Sequence, residues 1–221
     1  MADEIKKDKK ELIKRSYNFE VRAEQDDESG SIITGRPIVY NSLTDIGGLY
    51  DEIIERGALM TTDLTDVRFL VNHDISKIPL ARSRRNNGNS TMTLTVDDMG
   101  MAIRVVLDTE NNAEARALYS AVQRGDISGM SFMFSIDDER WENLESDHPT
   151  RHILSIGSVV EVSAVTFPAY DATSIDARSK EALESARLAM ENAKAQRATA
   201  LESDDNKLEL EKAKFNFRAK M

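Results

Sequence analysis

Gly125–Phe134 reads GDISGMSFMF, and the role given to its serine decides how the surrounding fold is read. A small, flexible Gly-Asp-Ile-Ser-Gly run turns into Met-Ser-Phe-Met-Phe, an alternation of period two. That period puts Met130, Phe132 and Phe134 on one strand face, with Ser131 and Met133 on the other. Ser131 is then either an outward polar residue of a half-buried strand or a hydroxyl held on rigid backbone for attack.

Upstream, Asn111-Asn112 followed by AEARALYSAVQR and Gly125 has the form of a helix. An Asn caps the start, a Gly ends it, and Ala115, Leu118, Tyr119 and Val122 make the apolar stripe. Further upstream the composition is mostly β. YNFEVRAE (17–24), SIITGRPIVYN (31–41), YDEIIERG (50–57), VRFLVNHD (67–74), TMTLTV (91–96) and MAIRVVLD (101–108) have strand composition. Asp97-Asp98-Met99-Gly100 joins the last two as a hairpin. RSRRNNGNS (82–90) reads as a loop and GALMTTDLTD (57–66) as a short helix. Downstream, DDERWENLESDHPT is a polar insertion and RHILSIGSVVEVSAVTF a last strand pair, closed by Pro168. Residues 1–15 form a charged leader, mobile or a short helix. From about Asp176 the chain is rich in Ala, Glu, Lys and Leu without Gly or Pro. Leu183, Ala186, Met190, Ala193 and Ala200 recur at helical steps, too weakly for a stand-alone coiled coil. The reading is a long helix, partly disordered around ESDDN, with Phe215 and Phe217 as candidate anchors.

Composition narrows the chemistry. The 221 residues contain no cysteine, which removes a thiol nucleophile, a thiolate zinc site and disulfides. No apolar run approaches the roughly 18 residues of a membrane span, and MADEIKKDKKELIKR lacks the apolar segment of a secretion signal. Net charge is −10, and the tail from Arg178 holds 10 basic and 8 acidic residues, so the acidity sits in the body. An acidic body is a poor nucleic-acid binder, because affinity there rests on Lys and Arg neutralising phosphates.

Three histidines are available. His148 and His152 lie in or beside the polar insertion and read as surface residues. His73 ends an apolar strand, where side chains emerge toward a cleft. Glu161 lies among valines in GSVVEVSAVTF, with Val159, Ser163 and Val165 on its face. It is either an edge-strand glutamate facing water or a carboxylate that accepts a bond from an imidazole N–H. A serine hydroxyl becomes a useful nucleophile when a neighbouring base takes its proton. Ser131, His73 and Glu161 therefore make a possible triad that spacing alone does not assemble. The G-x-S-x-G elbow is absent. Metal-hydrolase spacing of the HExxH type is absent as well.

Taken in order, several blocks resemble the prohead proteases of tailed bacteriophages, which are related in fold to the herpesvirus assemblins. The blocks are GRPIVYN, EIIERGAL, FLVNHD followed by PLAR, DDMG, RGDISGMSFMF and EVSAVTFPAY, across residues 17–175. The resemblance implies an α+β, mainly β fold: an assemblin-like closed or nearly closed β-barrel surrounded by helices, plus a helical C-terminal tail. Together with the change of composition at either end, it divides the chain into a leader (1–15), a protease domain (16–176) and a tail (177–221). It implies catalytic His73, Ser131 and Glu161, with Ser128 as the reserve nucleophile and no cofactor or metal. Arg82 and Arg84 are candidate helpers at the oxyanion. Ala81 and Met133 stand where relatives usually have glycine. The implied activity is a serine endopeptidase that cuts the major capsid protein, its scaffold or delta region, and itself. It would act in the host bacterial cytoplasm, inside the immature prohead. No nucleic-acid or membrane partner is implied, and dimerisation is left open. The tail is a detachable packaging arm or a solubilising helix. The competing reading is a noncatalytic capsid-assembly or scaffold protein on the same barrel.

Overall fold

The computed structural model describes residues 12–17, 21–27, 30–166 and 177–218. Its strands, numbered in chain order, form two sheets. The larger takes β1 (Leu12–Tyr17), β10 (Gly129–Glu142), β11 (Thr150–Val165), β5 (Asp51–Ile54) and β4 (Thr44–Asp45) in that spatial order. β6 (Arg68–Val71) also pairs with β11, and β7 (Ala81–Arg82) pairs with β6. The smaller sheet runs β2 (Val21–Asp26), β3 (Gly30–Val39), β9 (Gly100–Leu107) and β8 (Met92–Asp97), all antiparallel.

β11 organises the larger sheet. One edge pairs antiparallel with β10; the other pairs parallel with β5 over residues 150–153 and with β6 over 161–164. Met130, Phe132 and Phe134 are fully buried in the core, as the alternation predicts, together with Phe69, Val162 and Ala164. Phe132 and Phe134 pack with ring centroids 4.7 Å apart. The opposite face is covered too, since Ser131, Met133 and Ser135 are also buried. Burial on both faces, rather than alternation with water, explains the dense apolar run. A bulge at Val160 shifts the pairing from Met133/Glu161 to Phe134/Val159. Val159 consequently turns into the core instead of sharing the face of Glu161.

Helix α1 (Ala113–Arg124) has the predicted ends. Asn112 Oδ1 accepts from the N–H groups of Glu114 and Ala115 at 2.9 and 3.2 Å, and Gly125 closes the helix at φ 78°. Ala115, Leu118 and Val122 are buried, and the helix packs on β2, β3 and β9. α2 (Ala177–Arg218) is a 42-residue helix whose assigned span includes ESDDN. Of the expected stripe Ala186 is buried, while Leu183 packs over Gly47.

Several expectations are corrected. The described strands do not close into a barrel. The larger sheet ends at β1, β4 and β7 and the smaller at β2 and β8, and among the described residues no strand of one sheet pairs with a strand of the other. Nor do helices surround it. GALMTTDLTD forms turns rather than a helix, tied to β11 by Thr62 Oγ1 donating to the Ile156 carbonyl at 2.7 Å. Most of the polar insertion continues β10 and forms the tip of the β10–β11 hairpin. RHILSIGSVVEVSAVTF is essentially one strand, not two. Leu12–Arg15, read as leader, belongs to β1; residues 1–11 lie outside the described residues.

The β8–β9 hairpin rests on Gly100. Its φ is +135°, and a Cβ there would lie 2.0 Å from the Ile38 carbonyl oxygen. Both the backbone angle and the space exclude a side chain. Across the same turn Arg36 holds Asp97 through two 2.7 Å bonds, which lowers the Asp97 carboxyl to about 2 with help from the Met99 N–H. Gly100→Ala is expected to cost about 3 kcal/mol in urea unfolding, the sum of backbone strain and overpacking.

Candidate active site

β6 is followed by two left-handed residues, Asn72 (φ 51°) and His73 (φ 58°). Asparagine and histidine tolerate that region better than most residues, and β11 pins the pair. The Asn72 N–H donates to the Ala164 carbonyl at 2.9 Å. Its side chain accepts from the Thr166 N–H and donates to Thr166 Oγ1, both at 3.0 Å. The strand end is thereby folded back so that the imidazole of His73 reaches Glu161.

The contacts form a closed ring. Glu161 Oε1 lies 2.5 Å from His73 Nδ1, and Ser163 Oγ donates to Glu161 Oε2 at 2.6 Å. The His73 N–H donates to Ser163 Oγ at 3.1 Å. Glu161 is 1% exposed, so its charge is compensated by these bonds rather than by water. With Nδ1 engaged, Nε2 is the ring nitrogen left for proton transfer.

Ser131 lies directly across the β10–β11 ladder from Ser163, and Met133 lies across from Glu161. Directly paired residues share a sheet face, so Ser131 occupies the face of the His73–Glu161 pair, one register step away. Its hydroxyl, however, donates to the Arg15 carbonyl of β1 at 2.7 Å, and the residue is fully buried. The structure thus brings two of the three predicted residues into contact and places the third on their face, beside β1. Ser128 is exposed, ahead of β10.

Other candidates lie elsewhere. Arg82 is committed to Asp66, holding that carboxyl below its usual range, and Arg84 donates to the Asn89 carbonyl. His152 is not a surface residue. It is buried, with Nδ1 2.7 Å from Glu55 Oε1 and Nε2 3.1 Å from Glu142 Oε2. His148 faces Asp51 at 3.2 Å and, with Asp45, makes a grouping that could hold a metal ion, sharing no residue with the ring.

Sequence reasoning missed the role of Ser163, although the period-two step from Glu161 signals it. It also missed Asn72, whose left-handed angle has no sequence signature beyond residue type. Arg68, in register with Glu161 across the β6–β11 ladder, brings a cation to the same face, where Asp66 lies 3.5 Å from its guanidinium.

Residues 17–187 match the model of a family described as caudovirus prohead serine protease. Among solved structures, the chain is similar to the bacteriophage T4 capsid assembly protease. Identity is 11% and the TM-score 0.38, and the similarity covers 70% of this chain and 97% of the other. No curated protein matches the chain.

Proposed function

The chain belongs to the caudovirus prohead serine protease family, and we propose that His73, Ser131 and Glu161 are its catalytic machinery. The contact between His73 Nδ1 and Glu161 carries this reading. A buried carboxylate on one imidazole nitrogen fixes the tautomer, directs the other nitrogen outward and stabilises the imidazolium when it forms. His73 Nε2 takes the Ser131 proton, and Ser131 Oγ attacks the substrate carbonyl. The imidazolium then protonates the leaving amine, and a water molecule activated by the same ring hydrolyses the acyl-enzyme. Backbone N–H groups beside Ser131 are the oxyanion donors in this scheme, each worth a few kcal/mol (about 3) of barrier.

The substrates we assign are the major capsid protein of the same phage with its scaffold or delta region, and this chain itself. The site of action is the interior of the immature prohead in the host cytoplasm, with α2 as a packaging arm that is trimmed. The helices described carry no membrane-spanning segment.

The test is incubation of the purified chain with its capsid precursor, read by mass spectrometry of new termini. Cleavage is expected to persist in chelator and to stop when a fluorophosphonate occupies one serine per chain. Cleavage lost to the chelator overturns the serine mechanism. No cleavage of capsid precursor or of the chain itself favours a noncatalytic assembly protein.

A further inference from the structure

β1 lies where a substrate would have to lie. Its six residues pair antiparallel with β10, Ser16 opposite Ser131, and its Arg15 carbonyl holds the proposed nucleophile's proton. Ser131 is fully buried, and neither of two open surface depressions is lined by His73, Ser131 or Glu161. The Ser131 hydroxyl is held by the β1 backbone, and a peptide pairing with β10 beside Ser131 needs the edge that β1 occupies. That edge has the backbone donors and acceptors for another extended chain.

The same strand buries Ile13 and Arg15, and Arg15 meets a buried carboxylate. Arg15 crosses to the inner face, opposite Phe132, and meets Glu52 in a two-pronged contact. Nε lies 2.5 Å from Oε1 and Nη2 2.8 Å from Oε2. Nη2 also donates to the Tyr50 hydroxyl at 3.2 Å, and Nη1 to the Lys14 carbonyl at 3.0 Å. The Glu52 side chain is 0% exposed. Arg151 Nη1 also approaches Glu52, at 3.5 Å, but that guanidinium is shared with Glu139 and lies over the Trp141 ring. A buried carboxylate with such spacing asks for a planar fork of donors, which arginine supplies and lysine does not.

We propose that the β10 edge is a peptide-binding cleft with an arginine subsite formed by Glu52 and Tyr50, and that Leu12–Tyr17 is its resident occupant. The ligand class is an extended peptide whose arginine carbonyl faces Ser131. The catalytic meaning of the cleft rests on Ser131 being the nucleophile; binding itself does not.

The experiment measures fluorescence anisotropy of a labelled, end-blocked LIKRSY peptide on the full chain carrying His73→Ala, so that no turnover is needed. Arg15→Ala in that background releases the resident strand and is expected to tighten LIKRSY binding at least about tenfold, by raising the fraction of chains with an open edge. The peptide LIKASY is expected to bind at least about tenfold weaker than LIKRSY, by loss of the charge-assisted fork. Equal binding of the two peptides overturns the subsite, and no gain from Arg15→Ala overturns the resident strand. Hydrogen exchange on the His73→Ala chain supplies a second readout that needs no change in β1. Saturating LIKRSY should speed exchange of the Leu12–Tyr17 amides and LIKASY should not; unchanged exchange overturns the displacement. Failure here leaves cleavage by the wild-type chain untouched, and failure of cleavage leaves this binding standing.

Discussion

Ser131→Ala is expected to lower the cleavage rate by about 10⁴-fold or more while leaving the fold in place, whereas Ser128→Ala is expected to cleave within about twofold of wild type. The size of the first effect follows from the chemistry: without the hydroxyl no acyl-enzyme forms, and the remaining groups only orient water. The preserved fold follows from the packing. Ser131 contributes one hydrogen bond, to the Arg15 carbonyl, and alanine occupies the same space without a clash. Loss of that bond costs about 1 kcal/mol, small beside the burial of Phe132 and Phe134 on the other face. Ser128 is exposed before the strand begins, so its truncation removes no packing. The rates are read as the appearance of cut capsid precursor by intact mass, with urea unfolding of each variant as control. An inactive, folded Ser128→Ala beside an active Ser131→Ala would move the nucleophile to the loop and require the Glu161–His73 pair to serve a different hydroxyl.

What could be read from the sequence was whatever depends on local periodicity. The alternation of Met130, Phe132 and Phe134, the capped helix between Asn112 and Gly125, and the β8–β9 hairpin all follow from spacing and turn chemistry. Glu161 stands out because a carboxylate among valines needs a partner, and His73 because it ends an apolar strand. The misreadings share a cause: each depends on which strands pair. Ser155, Gly157 and Ser158 interrupt the apolar run of β11. The long β10 partner and the bulge at Val160 keep it one. His152 looked exposed because its sequence neighbours are polar; Glu55 and Glu142, distant in sequence, enclose it. Leu12–Arg15 reads as part of a charged leader because Lys14 and Arg15 are hydrophilic. A buried Glu52, 37 positions along the chain, makes that arginine an interior residue. The open sheets, in place of a barrel, follow equally from long-range pairing. Two short strands share one edge of β11, so the sheet branches there instead of continuing round.

Glu161→Gln is the sharpest test of the ring around His73, with an expected loss of about 10³- to 10⁴-fold in kcat and little change in KM. The substitution keeps the volume of a 1%-exposed side chain and removes its charge. Two bonds now made by carboxylate oxygens, from His73 Nδ1 and Ser163 Oγ, must then be met by one carbonyl oxygen and one NH₂ group. If the oxygen stays on Ser163, the amide presents a donor to Nδ1 and drives the imidazole into the tautomer whose Nε2 carries hydrogen and cannot take a proton. If it turns to Nδ1, the tautomer survives, but the imidazolium formed during attack loses its counter-charge. Either arrangement raises the barrier without touching the substrate, so KM should hold. Glu161 is in this sense a positioning residue, acting through His73. Glu161→Asp retains the charge at a shorter reach and should fall between Gln and wild type. A purely structural glutamate would rank the variants by unfolding midpoint instead, with kcat following stability rather than charge. Near-wild-type kcat in a folded Glu161→Gln chain would remove the carboxylate from the mechanism and leave His73 oriented by its left-handed backbone and the Ser163 bond alone.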